Sequence, residues 1–277
     1  MRVRAVILGC GSSGGVPRIG GADGRGEWGD CDPDEPRNRR SRCSVVIQRA
    51  RGDGAFTGAL TTILIDTAPE LRLQLTREGV ARVDQVVFTH DHADQTHGID
   101  DLRALALIGR RQVKVGYDPD ASPDLLSRFD YCFAQAPGSP YPAILRAERL
   151  PPPGRPLTVE GPSGPLSVTS FLCAHGGIAS LGFRVGPIAY SPDLSELAEE
   201  SWNVVSGAEV WIVDALRYAP HPTHAHLDKA LGWIERAGVP RGVLTNLHID
   251  MDYRTLAAET PAHVEPAYDG MIVEAGR

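Results

Sequence analysis

Apolar positions fall along this chain in two rhythms. Compact, β-branched runs occur at residues 3–8, 44–48, 61–66 and 86–88. Such runs predict buried strands. The second half repeats the pattern at Leu166–Ala174, Ile188–Tyr190, Val210–Val213 and Val243–Leu247. Spacings of three and four collect apolar residues on one face at Leu71–Glu78, Ile99–Ile108 and Leu227–Ala237, which predicts amphipathic helices, the first with Pro69 near its start. Residues 113–165 give a weaker rhythm, with a strand expected at Val113–Gly116 and a helix containing aromatics within 119–135. Strands interleaved with helices define an α/β chain. The Pro-rich stretch 151–156 reads as a loop, and no composition shift across it marks a boundary, so one domain over residues 1–277 is expected.

Chemistry-bearing side chains recur at the strand ends. After the 86–88 run come His90, His92, Asp94 and His97 within ten residues. On extended chain, residues two apart point to the same side, so His90 and His92 offer two imidazoles to one ion. Asp94 lies where the chain turns into helix and is placed to serve a second ion. Neutral imidazoles and carboxylates held together are what a transition metal requires. Asp66, His175, Asp193, Asp214 and His248 end other apolar runs, where a fold can bring them to one rim. Each also has a plain reading taken alone. Asp193, for instance, would cap a helix starting near Leu194. The P-H-P-T-H-A-H stretch adds His221, His224 and His226. A histidine from it placed over the metals would act as a general acid or an electrostatic clamp.

Bulk properties narrow the classes. The 277 residues carry a net charge of -7, which argues against general nucleic-acid binding. No apolar run reaches transmembrane length, and residues 3–8 are too short for a signal peptide's apolar region. Five scattered cysteines, an odd number, read as reduced and cytoplasmic. Cys31 and Cys43 supply half a structural zinc site at most. Residues 9–21 are rich in glycine, which fits either a phosphate held on backbone N–H groups or a flexible connection. No Walker lysine follows these glycines. Arg37, Arg39, Arg40 and Arg42 form either a solvated face or an anion-binding wall.

Five motifs together resemble the metallo-β-lactamase superfamily over almost the whole chain: I-D at 65–66, T-H-D-H-A-D at 89–94, H-G at 175–176, Y-S-P-D at 190–193 and T-N-L-H at 245–248. The opening L-G-C-G-S-S-G-G-V-P, N-R-R-S-R-C-S, G-I-D-D-L-R at 98–103 and P-A-Y-D-G-M at 266–271 resemble its PhnP-type branch. That branch includes phosphoribosyl cyclic phosphodiesterases and many bacterial hydrolases. The resemblance implies an αββα sandwich, two mixed β-sheets flanked by helices, with two divalent metal ions, zinc or manganese, at one rim. It assigns His90, His92 and His175 to the first ion, Asp94 and His248 to the second, and Asp193 to both. It implies that Asp66 accepts an N–H from a ligand histidine, and that Asp94 and His224 are catalytic, His224 lying near the leaving group with His226 as the less favoured choice.

One position departs from the family's H-x-H-x-D-H, whose last histidine is Gln95 here. An amide is a poorer zinc ligand than imidazole, so the second ion is expected to bind more weakly, to be a harder ion, or to recruit His97. The implied activity is metal-dependent hydrolysis of a small (cyclic) nucleotide or sugar phosphodiester by a hydroxide between the ions. Arg40 and Arg103 are the expected phosphate contacts. The expected partner is thus a small molecule, with no membrane and no large nucleic acid, and a homodimer is compatible. The alternatives are a thioester or lactone hydrolase, a transfer-RNA 3′-end ribonuclease, and a non-catalytic accessory protein that binds metal or ligand.

Overall fold

In the computed structural model, which describes residues 1–276, side chains of the first strand, β1 (Val3–Gly9), sort by parity. Ala5 and Ile7 enter one buried cluster, and Val6 and Leu8 enter another. Period-two geometry requires this of a strand covered on both faces. The next strands, β2 (Ser44–Arg49) and β3 (Thr61–Ile65), do the same. Val45, Ile47, Ile63 and Ile65 join the first cluster, and Val46 and Leu64 the second.

Three parallel strands extend this sheet from β3: β4 (Gln85–Val87), β5 (Val113–Tyr117) and β6 (Leu145–Arg149). The second sheet holds β7 (Pro156–Val159), β8 (Leu166–His175), β9 (Ile178–Val185), β10 (Ile188–Ser191), β11 (Glu196–Leu197), β12 (Val210–Asp214), β13 (Arg241–Thr245) and β14 (Val264–Pro266). Its order is β11-β8-β9-β10-β12-β13-β14, with β7 on β8. A last strand, β15 (Ile272–Ala275), returns to pair antiparallel with β1, giving β15-β1-β2-β3-β4-β5-β6. Both sheets mix parallel and antiparallel pairs.

Ile7, Ile47 and Ile65 share one buried cluster with Phe183, Tyr190, Ile212 and Val243 of the second sheet, so the sheets pack face to face. Outside the first sheet, Leu71 and Leu75 of helix Leu71–Arg77 and Leu102 and Leu105 of helix Leu102–Gly109 cover Val46, Leu64 and Val86. Outside the second, Trp211 and Leu244 meet Leu227, Trp233 and Ile234 of helix Leu227–Ala237. The result is the four-layer αββα arrangement of two mixed sheets flanked by helices.

Several local expectations shift. The helix expected at Ile99–Ile108 opens with a tight turn, Ile99–Asp101, and continues to Gly109. Within 119–135 there are two single turns, Leu125–Arg128 and Asp130–Phe133, because Phe129 between them leaves helical geometry. No helix follows Asp193; the chain enters β11 instead, so the capping reading is wrong. Strands β6, β7, β9 and β15 escaped the pattern because they are partly exposed, and all but β7 carry charge, as in L-R-A-E-R. Among the described residues, no helix is long and apolar enough to cross a membrane.

The Arg-rich run is spent internally. Arg37 pairs with Glu35 at 2.7 Å, Arg39 lies over the Trp28 ring, and Arg42 pairs with Glu70 at 3.0 Å. Buried Glu35 also accepts from Arg254 Nε at 2.7 Å, tying residues 35–38 to helix Tyr253–Glu259. The Arg37 hydrogen bond, against the cost of burial, holds the Glu35 carboxyl down to about 2. An unfolded glutamate titrates near 4.3, so this stabilisation is complete above that pH and is lost as pH falls through about 2. Glu35→Gln is expected to lose about 1–3 kcal/mol of stability at pH 7. The difference from wild type in denaturant midpoint should shrink progressively as pH drops below about 4.3.

Candidate metal centre

Each histidine of the centre stands at the end of a buried strand. β4 runs through Phe88 and Thr89 into His90 and His92, and β8 ends at His175. The three rings meet edge to face, with centroids 4.4 Å apart for His90–His92 and 5.1 Å for the other two pairs. Their ligand atoms lie within 4.8 Å of one another. Imidazoles do not gather this way for their own sake, because His90 and His175 point polar edges at one another in a buried place, with exposed His92 closing the group.

Outer partners fix which nitrogen faces inward. His175 Nδ1 lies 2.8 Å from the Thr223 carbonyl, which can only accept, so Nδ1 carries the hydrogen and Nε2 is bare. Gly176, with φ +63°, makes this approach possible, since a Cβ there would lie 2.5 Å from the Thr223 methyl. His90 Nδ1 lies 3.0 Å from the Thr89 hydroxyl, which lies 2.9 Å from Asp66 Oδ2. The hydroxyl donates to Asp66 and so accepts from His90, leaving Nε2 bare. That Nε2 is buried with no hydrogen-bond partner. Burial holds the His90 ring well below its ordinary pKa, and burial followed by the charge of His224 takes His175 down to about 4. Bare, neutral nitrogens converging on one point fit a transition-metal ion.

Asp66 therefore reaches His90 through Thr89 and does not touch a ligand ring, a correction to the direct contact expected. Its backbone is left-handed at φ +63°, a conformation aspartate tolerates better than most residues, and Thr89 N donates to Oδ1 at 2.8 Å. Burial pushes this carboxyl up, and the two Thr89 hydrogen bonds oppose that.

Asp193, after β10, lies with His175 and His224 in a second group of converging donors. His224 Nδ1 is 2.9 Å from Asp214 Oδ2 and 3.6 Å from Asp193 Oδ1. Asn246 Nδ2 donates to Asp193 Oδ1 at 3.3 Å and Asp214 Oδ1 at 3.2 Å. Burial works against a charged His224 ring, yet the Asp214 hydrogen bond and the charges of Asp214, Asp193 and Asp94 outweigh it and raise its pKa to about 9. At neutral pH this ring is an imidazolium whose Nδ1–H is spent on Asp214 and whose Nε2–H remains to donate. Asp214 was a strand-end candidate with no assigned role, and Asn246 was not a candidate. Their placement at strand ends was visible, but their pairing was not.

His248 follows β13, and Asp250 Oδ1 orients its Nδ1 at 2.9 Å. Asp94, His248, Asp193, His92, His175 and His224 line one cavity of about 310 Å³. Ser12 and Arg18 of the Gly-rich loop, and His221, line it too. Ser12 Oγ and Arg18 Nε are buried without partners. Gly14 makes room for the arginine, since a Cβ there would stand 2.9 Å from Arg18 Nε.

Three expected substrate contacts lie elsewhere. Arg40 is 2% exposed and donates to the Asn38 side chain and the Met251 and His248 carbonyls at 3.0, 2.8 and 3.4 Å, so it braces the His248 loop from behind. Arg103 is outside the cavity lining and pairs with Asp100 at 2.8 Å. His226 precedes helix Leu227–Ala237 and is not in the lining, where His221 stands instead. His97 packs on Phe129, with centroids 5.9 Å apart. Cys31 and Cys43 are buried apart, the first beside Arg40 and the second beside Thr245, and neither joins a metal-ligating group among the described residues.

Residues 61–249 match the beta-lactamase superfamily domain, and the chain belongs to that family of metallo-β-lactamase-fold hydrolases. Within it the chain is PhnP-like. It is 30% identical to a solved diphosphatase from the PhnP family, with 99% of this chain and 98% of that one covered and a TM-score of 0.84. An octanoyltransferase of Porphyromonas gingivalis is 28% identical over 272 residues, 97% of this chain and 51% of that protein, so the chain spans about half the length of this curated relative. Zinc-bound PqqB from Methylobacterium extorquens shares the fold at 16% identity and a TM-score of 0.69, covering 98% of this chain and 99% of that one.

Proposed function

We propose that this chain is a metal-dependent phosphodiesterase acting on a small nucleotide or sugar phosphodiester. The observation that carries this reading is the pairing of two opposite environments in one cavity. Three histidines face one point, two of them held neutral by burial, while His224 beside them is held protonated by Asp214. Hydrolysis of a phosphodiester asks for both, a site for a Lewis acid and a proton donor for the departing alkoxide.

His90, His92 and His175 would hold a divalent ion, with Asp193 beside them. Such an ion lowers the pKa of water and offsets charge on phosphoryl oxygens. His224 keeps a proton at Nε2 within the cavity and delivers it to the leaving oxygen. Asp214 and Asn246 orient that ring. Among the described residues, the Arg18 guanidinium makes no hydrogen bond or ion pair, so it is free to meet an anionic oxygen, with the Ser12 hydroxyl as second donor. A cavity of about 310 Å³ suits a small molecule better than a folded RNA. The same reading takes the partner as a small phosphodiester and the location as cytoplasmic.

A panel of cyclic nucleotides, aryl phosphodiesters, phosphomonoesters and glutathione thioesters tests the proposal. Preference for diesters is the expected outcome. Turnover of thioesters with none of diesters would replace this reading with the thioesterase one. Arg18→Ala is expected to raise KM about tenfold to a hundredfold with a much smaller change in kcat, because it removes a charge-assisted hydrogen bond to bound substrate. Steady-state kinetics on the best diester of the panel checks this.

A further inference from the structure

Asp193, buried, and Asp94, half-buried, face one cavity, where like charges repel and a cation or hydrogen-bond donors must hold them together. Beside the three histidines, Gln95 does this. Its amide nitrogen donates to Asp94 Oδ2 at 3.2 Å and to Asp193 Oδ2 at 2.9 Å. The residue is fully buried, and its backbone is pinned by Thr67, whose N–H reaches the Gln95 carbonyl at 2.7 Å and whose hydroxyl reaches it at 3.3 Å. The other oxygen of Asp193 is taken by Asn246. Both oxygens of the expected bridging carboxylate are thus engaged by N–H groups of the chain.

An amide NH2 is two donors and no lone pair, the opposite of a metal ligand. Turning the amide over would bring Oε1 against two carboxylates, three acceptors with nothing between them. Neither group of converging metal donors includes Asp94 or His248. The donor set is therefore lopsided: three imidazoles converge on one point, Asp193 converges with His175 and His224, and Asp94 and His248 join neither group.

We propose that Gln95 takes the place of a second cation. The centre holds one tightly bound ion at His90, His92 and His175, and the Gln95 amide cross-links Asp94 and Asp193. This rests on the reading of the three histidines as a metal centre.

Metal counting tests it without reference to activity. The purified chain is stripped with chelator, reloaded with excess zinc or manganese, passed through gel filtration and assayed for metal. Wild type is expected to retain one equivalent. Gln95→His restores an imidazole and is expected to retain two, with the second ion bound at least about tenfold more tightly than by wild type. Gln95→Glu, nearly the same shape, exchanges both donors for a ligand oxygen and is also expected to gain an ion, which covers a histidine variant that fails to fold. Two equivalents in wild type would overturn the proposal, as would a single equivalent in both variants. No ion in wild type would be a different failure, that of the metal centre itself.

Discussion

His90→Ala should abolish turnover while leaving the chain folded. The ring is fully buried and its inward nitrogen has no partner in the protein, so its position is explained by what it would bind and not by what it packs against. Removing one of three converging imidazoles leaves two, which hold an ion poorly. Lewis-acid stabilisation worth several kcal/mol then disappears, a loss of at least about a thousandfold in kcat/KM. The metal-free variant should lose no more than about 1–3 kcal/mol of stability, the usual range for a single substitution. The rise in melting temperature that zinc gives wild type should vanish with it. Calorimetric melts with and without zinc, read beside the kinetics, separate loss of the ion from loss of the fold. A variant that keeps full activity would show that these histidines do not form the working centre.

His224→Gln should cost less, and its cost should depend on the leaving group. An alkoxide needs a proton, and losing a positioned general acid costs about 10²- to 10⁴-fold in rate. An aryl phenolate departs without one, so an activated aryl diester should lose far less. The pH profile gives an independent sign. The folded pKa of this ring is raised to about 9, so its acid form persists through neutral pH and is lost only above that value. Wild-type kcat on an alkyl diester should fall as pH rises through about 9, and the variant should lack that fall. Equal losses on both leaving groups would assign His224 a purely structural part. Asp214→Asn, which keeps the shape but removes the charge that raises His224, should move the basic limb to lower pH.

Much of this centre was legible because strand ends announce themselves. A β-branched run that stops at His90, His175, Asp193 or His248 can be read without knowing its partners, since a buried strand delivers its last residues to one rim of the sheet. Pairing was not legible. Arg40 sits in an Arg-rich run that looks like an anion-binding wall, yet its acceptors at residues 248 and 251 lie more than 200 positions along the chain. Arg18 shows the reverse. Nothing local marks it as the unpaired arginine, because being unpaired is a property of everything around it. The glycines that precede it were the available signal, and they gave two readings. Asp66 was recognised as costly at an apolar strand's end, but the Thr89 hydroxyl between it and His90 depends on a left-handed backbone that no pattern of apolar residues encodes.

Gln95 was the one departure visible in the sequence, and the fold gives it a physical role. A glutamine that donates to two carboxylates is not a failed ligand. It keeps Asp94 and Asp193 close without a second charge. That arrangement makes metal stoichiometry an informative number, separate from whether the chain is active.

The most direct test of the metal-dependent phosphodiesterase reading is hydrolysis of a bis-aryl phosphodiester by chelator-treated protein, before and after zinc or manganese is returned. The expected result is no turnover by the stripped protein and recovery when ion is added. Turnover that survives complete removal of metal, or none with either ion present, would contradict it.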